Sequence, residues 1–178
     1  MVKIDKKMAK LLMKQRIVIV ASSSKDGKPN ASLKSIVDVE PDEGIIYFLD
    51  LYAEKTRKNL SENSQVSIST ADIEDFIGYQ FKGDVEVIDT GELFEKYKKK
   101  WEKQRTKLLI ERMVKNVQKG SSHGRHEMYL PDPKYLAKVR IREIYDLLPH
   151  GERKTTKKKK NLKGIGKFLL RRGKHERS

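Results

Sequence analysis

The sequence predicts a mostly β domain of the α+β class, a six-stranded antiparallel β-barrel with flanking helices. Three observations carry this. Six short runs are rich in β-branched and aromatic residues. Several are bounded by tight turns built on Gly, Pro and Asp, such as Asp26-Gly27 and Pro41-Asp42-Glu43-Gly44. Helical periodicity is confined to a few stretches and does not alternate with the strands as a βαβ sheet requires.

In chain order, Asp5 to Gln15 reads as a short amphipathic helix, with Ile4, Met8, Leu11 and Leu12 on one side. Ile17 to Ser22 is a strand of β-branched residues, and the Asp26-Gly27 step turns it into a second strand, Pro29 to Glu40. Alternation there puts Ala31, Leu33, Ser35, Val37 and Val39 on one face, with Ser32, Lys34, Ile36 and Asp38 on the other. Ile45-Ile46-Tyr47-Phe48-Leu49, between Gly44 and Asp50, is a continuous apolar run and hence a buried strand. A short helix follows from Lys55, then a fourth strand, Gln65 to Ala71. The fifth strand, Tyr79 to Asp89, points Tyr79, Phe81, Val85 and Val87 inward, with Gly83 marking a bulge or a close approach. Glu92 to Gln118 is a long charged helix with Leu93, Tyr97, Trp101, Leu108, Leu109, Met113 and Val117 near helical spacing. After a loop, Tyr135 to Leu147 closes the domain as a sixth strand.

Composition narrows the function. The 178 residues contain no cysteine, which removes disulfides, thiolate metal ligands and thiol nucleophiles from consideration. No apolar run approaches the ~20 residues of a membrane span, and a soluble, cytoplasmic protein is the expectation. The net charge of +15 is uneven: Glu152 to Ser178 carries twelve Lys or Arg against two Glu. The predicted organisation is therefore a barrel domain over residues 1–150 and a basic tail over 151–178, divided near Pro149-His150-Gly151.

The stretch from Gly44 to Leu60 organises the candidate chemistry. A strand that turns into a helix start presents free backbone N–H groups and the positive end of a dipole. Here a hydroxyl residue able to cap the helix stands with Lys55, Thr56 and Arg57, an arrangement suited to phosphate. A solvated basic helix start is the other reading, and these residues alone leave both open.

A longer ordered series adds to this. Asp26-Gly27-Lys28-Pro29-Asn30, Val37-Asp38-Val39, Ile46-Tyr47-Phe48, Lys55-Thr56-Arg57-Lys58-Asn59-Leu60 and Phe81-Lys82-Gly83-Asp84-Val85-Glu86-Val87 follow one another. In that order and spacing the chain resembles the pyridoxamine 5′-phosphate oxidase-like, FMN-binding split-barrel family, over Met8 to Asp89 and more loosely over Val139 to Leu147. The resemblance implies a six-stranded split barrel that forms a homodimer with FMN at its interface. By position, Lys55 and Thr56 would meet the phosphate, with Arg57 and Asn59 supporting the turn. Ser32, Leu33, Lys34 and Ser35 would run beside the ring system and ribityl chain, Phe48, Leu49 and Asp50 would form the floor, and Gln80 and Lys82 would come from the partner subunit. The final strand, Val139 to Tyr145, lacks the Trp and the Arg-x-His signature of true pyridoxamine phosphate oxidases, which argues against that oxidation. The family also holds flavin carriers, reductases, haem-handling proteins and deazaflavin-dependent reductases.

Other motifs point less sharply. His123 and His126 have a spacing that can serve metal, but with no cysteine and only Glu127 and Asp132 nearby a solvated polar loop is the better reading. Lys98-Lys99-Lys100 beside Trp101 fits an exposed helix face as well as a nucleic-acid contact. Lys157 to Lys160 suits a disordered segment attractive to polyanions, and Leu162, Ile165, Phe168 and Leu169 recur at helical spacing among basic residues. Nucleic acid, an anionic membrane surface and an acidic protein are all candidate partners for this tail. The expected function is that of an FMN-binding flavoprotein, a flavin-dependent oxidoreductase or electron carrier acting on a small redox substrate or an electron-transfer partner. The alternative is a non-catalytic barrel with a degenerate or empty flavin site, localised by its tail.

Overall fold

Six strands close into a barrel in the spatial order β1-β2-β3-β6-β5-β4, every pair antiparallel. The computed structural model describes residues 2–119 and 131–147. In chain order the elements are α1 (Lys6–Gln15), β1 (Ile17–Ser23), β2 (Pro29–Glu40), β3 (Ile45–Asp50), α2 (Lys55–Glu62), β4 (Gln65–Asp72), β5 (Ile77–Ile88), α3 (Glu92–Lys119) and β6 (Tyr135–Asp146). The basic tail and the His123–His126 loop lie outside the described residues.

Two apolar clusters hold this arrangement, one inside the barrel and one outside it. The interior is filled by Val18, Val20, Ile36, Phe48, Val66, Ile68, Phe81, Val139 and Ile141, and is sealed by Ile4 and by Leu12 of α1. The outer cluster joins Val37, Tyr47, Leu49 and Leu136 to Phe94, Tyr97 and Trp101 of α3. Strand β3 lies between the two, with Phe48 inward and Tyr47 and Leu49 beneath α3. This is why its apolar run is unbroken: all six residues are buried. The rings of Tyr47 and Tyr97 stack with centroids 4.6 Å apart, and Lys100 reaches back to Asp38 at 2.8 Å. That lysine, from the Lys98–Lys100 run, is thus engaged in clamping the helix to β2.

Local signals explain most element ends. Asp5 precedes α1 rather than beginning it, and its carboxylate accepts from the Lys7 N–H at 2.7 Å as an N-cap. At its other end α1 is tied to β4, because Lys14 Nζ and Gln15 Nε2 donate to Asp72 at 2.6 and 3.2 Å. Gly44 has φ +63°, and a Cβ there would stand 2.0 Å from the carbonyl oxygen of Val2. The turn before β3 therefore needs glycine for both reasons.

Two sequence expectations are corrected and a third is narrowed to one of its alternatives. Strand β2 is bulged, its pairing with β3 shifting between Ile36 and Asp38. Val37 and Asp38 consequently both face α3, while Val39 moves to the barrel interior with Ile36. The bulge near Gly83 belongs to the neighbouring strand: Lys82 faces Glu143 and Gly83 faces Ile141, so Arg142 is the extra residue. Gly83 is instead the close approach, since a Cβ would lie 2.2 Å from the carbonyl oxygen of Arg140. On α3, Phe94 rather than Leu93 is the fully buried member of the first turn, and Met113 is exposed. The 28-residue helix is ~42 Å long at 1.5 Å per residue, so it outruns the sheet it packs on.

Candidate functional site

The barrel closes, but one end of β2 runs past its β3 neighbour. Strand β3 pairs with β2 from Ser35 to Glu40, whereas Pro29 to Ser35 pairs with β1 on the other side. Among the described residues, β2 therefore has one strand neighbour from Pro29 to Lys34, and α2 lies over this end of β1 and β2. This is the split in the barrel.

Helix α2 packs by a three-residue stripe. Thr56, Asn59 and Leu60 are buried at i, i+3 and i+4, Leu60 joining the interior cluster. Thr56 is 3% exposed. Its Oγ1 accepts from Asn30 Nδ2 at 3.3 Å and shares a hydrogen bond with Ser32 Oγ at 2.9 Å. Asn59 Nδ2 donates to Ser22 Oγ at 3.1 Å. The hydroxyl expected to cap the helix is thus turned inward. The N-cap residue is Glu54, which makes no side-chain cap hydrogen bond. The first intrahelical bond is Lys58 N–H to Glu54 C=O at 3.1 Å, so the amides of Lys55, Thr56 and Arg57 project from the helix end. Lys55 and Lys58 are exposed beside them and Arg57 is half-buried.

A buried charge cluster supports this turn. Asp50, at the end of β3, is 1% exposed and pairs with Lys34 Nζ at 2.6 Å, the lysine side chain itself being 9% exposed. Tyr135 OH donates to the same carboxylate oxygen at 2.7 Å, and the Tyr52 N–H donates to the other at 3.1 Å. Burial pushes the Asp50 carboxyl up, but the hydrogen bonds from Lys34, Tyr135 and Tyr52 outweigh it and hold the group below the usual carboxylate range. Burial, and the Asp50 charge beside it, push the Tyr135 phenol up. Arg57 lies over the Tyr135 ring, 5.6 Å from its centroid, and 3.7 Å from the exposed Asp89 carboxylate.

The residues singled out in the sequence therefore fall into separate groups. Lys55, Thr56, Arg57 and Asn59 share one turn, with Ser32 beneath it. Lys34 and Asp50 pair with each other inside the barrel. Leu33 is 70% exposed on the outer face, and Ser35 shares that side of the strand. Phe48 and Leu49 face opposite ways, into the interior and under α3, and neither is exposed in this chain. Gln80 and Lys82 belong to the outer face of β5. A row runs from Leu33 through Ile19, Ser69 and Gln80 to Tyr145 across five strands. Gln80 is three strand spacings, ~14 Å, from Leu33 along that row. Within this chain Gln80 and Lys82 are not brought to the α2 turn. Lys82 Nζ sits 4.6 Å from the centroid of the Tyr145 ring, over an open groove of about 370 Å³ lined by Ser23, Gln65, Ser67, Lys82 and Arg142. Asn30 and Tyr135 are the site residues that sequence reasoning did not assign. Asn30 stood in the quoted turn motif without a role, and nothing local marks Tyr135.

Comparison with known proteins agrees with this architecture. A family model described as pyridoxamine 5′-phosphate oxidase matches residues 4–146. An uncharacterized protein of Methanocaldococcus jannaschii is 39% identical over 92 residues, covering 51% of this chain and 60% of that relative. Among solved structures, HupZ of Group A Streptococcus superposes with a TM-score of 0.61 at 22% identity, covering 82% of this chain and 95% of its own. An FMN-binding protein from Syntrophomonas wolfei superposes with a TM-score of 0.54 at 16% identity, covering 79% and 84%. These two likenesses are of fold. The match over residues 4–146, taken with the split barrel itself, shows that the chain belongs to the pyridoxamine 5′-phosphate oxidase family.

Proposed function

We propose that this chain is an FMN-binding flavoprotein that works as a homodimer, as a flavin-dependent oxidoreductase or an electron carrier. The observation that carries the reading is the juxtaposition at the split. An uncapped helix start with Lys55 and Arg57 stands beside a length of β2 whose backbone has a strand on one side only. A phosphate dianion takes N–H donors and cations, and a flavin ring edge takes backbone hydrogen bonds. Both are available here within one turn and one strand.

In this reading Lys55 and the first-turn amides of α2 hold the phosphate. Thr56, locked to Asn30 and Ser32, fixes the distance between helix and strand, and Asn59 anchors the next turn. Leu33 and Ser35 offer the outer face of β2 to the ring. The exposed Leu33, Ile17 and Ile19 form an apolar patch that a second copy covers, bringing Gln80 and Lys82 of its own β5 toward the site. Bound flavin supplies hydride and single-electron chemistry, and the protein binds and orients it.

The test is flavin titration of the purified chain, followed by fluorescence, beside size measurement by light scattering. Lys55→Ala should weaken FMN about ten- to hundred-fold. Thr56→Val, which fits this buried position but drops the bonds to Asn30 and Ser32, should weaken it too. Leu33→Glu should shift the dimer to monomer and lower flavin affinity with it. A colourless protein that takes up no added FMN refutes the proposal, as does Lys55→Ala binding FMN like the parent.

A further inference from the structure

Four residues from four elements form one connected path at the split: Lys34 of β2, Asp50 of β3, Tyr135 of β6 and Arg57 of α2. Three of them, Lys34, Asp50 and Tyr135, are nearly inaccessible, and Asp50 and Tyr135 face each other directly in the β3–β6 register. A buried ion pair is a costly way to stabilise a fold, because two desolvated charges often do no better than apolar side chains of equal volume. Its usefulness is geometric. Asp50 takes donors from Lys34, Tyr135 and the Tyr52 backbone, so its carboxylate and the Tyr135 phenol are both fixed. The tethered ring is the surface on which the Arg57 guanidinium rests. Arg57 also stands 3.7 Å from Asp89, which is exposed, a loose partner that an incoming anion can replace.

We infer that Asp50 and Tyr135 are positioning residues for an anion at the first turn of α2, acting through Arg57. They hold the guanidinium where the amides of Lys55 and Thr56 emerge, so that a phosphate meets a pre-set cation rather than ordering a free side chain. The inference rests on the proposed reading of that turn as the phosphate site of a flavin.

The experiment compares FMN with riboflavin, which has the same ring and no phosphate, on the full-length chain. Tyr135→Leu removes the ring beneath Arg57 and should weaken FMN about ten-fold while leaving riboflavin affinity unchanged. Tyr135→Phe keeps the ring but releases it from Asp50, and should give a smaller loss in the same direction. In an Arg57→Ala background neither change should have a further effect. A residue that merely supports the fold would weaken both flavins together and would do so with or without Arg57. Either of those results overturns the inference, and so does an unchanged FMN affinity in Tyr135→Leu when Lys55→Ala weakens it. If the parent chain does not prefer FMN to riboflavin, the phosphate reading itself fails and the inference falls with it.

Discussion

Replacing Lys34 with Met leaves a carboxylate inside the barrel without its counter-charge, and the consequence can be worked from the geometry. Asp50 loses the 2.6 Å bond from Lys34 Nζ and keeps Tyr135 OH at 2.7 Å and the Tyr52 N–H at 3.1 Å. Removing one partner of a buried pair costs roughly 3–5 kcal/mol when nothing else compensates. The two surviving donors place the expected loss at the lower end, about 3 kcal/mol, or about 6–12 °C in Tm for a chain of this size. The pH dependence supplies a sharper check. Asp50 is held below the usual carboxylate range in the folded chain. Its ionised form therefore stabilises the fold above the unfolded pKa of about 4, and that contribution is lost as pH falls through the lower folded-state value. The gap between parent and variant, measured by urea unfolding, should be full near neutral pH and should narrow as Asp50 takes up its proton. Lys34→Met/Asp50→Asn should recover much of the loss. A gap under about 1 kcal/mol at neutral pH, or one that stays constant into the acid range, refutes the account of this pair.

The fold was largely legible because the barrel strands announce their environment. β4 and β5 alternate, with Val66 and Ile68, then Phe81 and Val85, facing in, and a single buried face yields that period. β3 is apolar from Ile45 to Leu49 because it is covered on both faces, and its neighbours in sequence are enough to show it. The bulge in β2 was not legible. It arises where Ile36 N–H bonds to the Arg16 carbonyl at 2.8 Å while β3 pairs on the other side. Both partners are distant in sequence, so the strand's own alternation carried the reading of Val39 to the wrong face. The Lys and Trp content of α3 likewise gave no sign of where the helix leaves the sheet.

The α2 turn was legible in position and its wiring was not. Lys55-Thr56-Arg57 after an apolar strand marked the turn correctly as a helix start. The part each side chain plays depends on what lies across the split. Thr56 is drawn to Asn30 and Ser32, 26 and 24 residues away, so its hydroxyl serves the helix–strand contact instead of capping. Asp50 meets Tyr135 across 85 residues, a pairing created by β3 and β6 being neighbours in the closed barrel. No spacing rule reaches that far. Such contacts are legible only once the strand order is known, which is why Lys34 and Asp50 read as separate candidates and are in fact one another's partners.

Two further tests address the frame and the end of the chain. Gly83→Ala should cost about 3 kcal/mol or more, because its Cβ would stand 2.2 Å from the Arg140 carbonyl oxygen, and backbone on the adjacent strand yields little. A thermal melt within 2 °C of the parent, less than ~1 kcal/mol, would show that β5 and β6 can separate locally. Cutting after Gly151 tests the proposed division of the chain: the last described element ends at Asp146, and the anion turn and its supports all lie upstream. The truncated chain should keep its Tm and its FMN affinity while losing twelve Lys or Arg and two Glu. Any association of the full chain with RNA or anionic vesicles should fall, along with its dependence on salt, since such binding scales with the phosphates neutralised and is screened by added ions. Truncation that lowers Tm sharply or abolishes flavin binding would instead make residues 152–178 part of the barrel's own stability, and the division at Gly151 would be wrong.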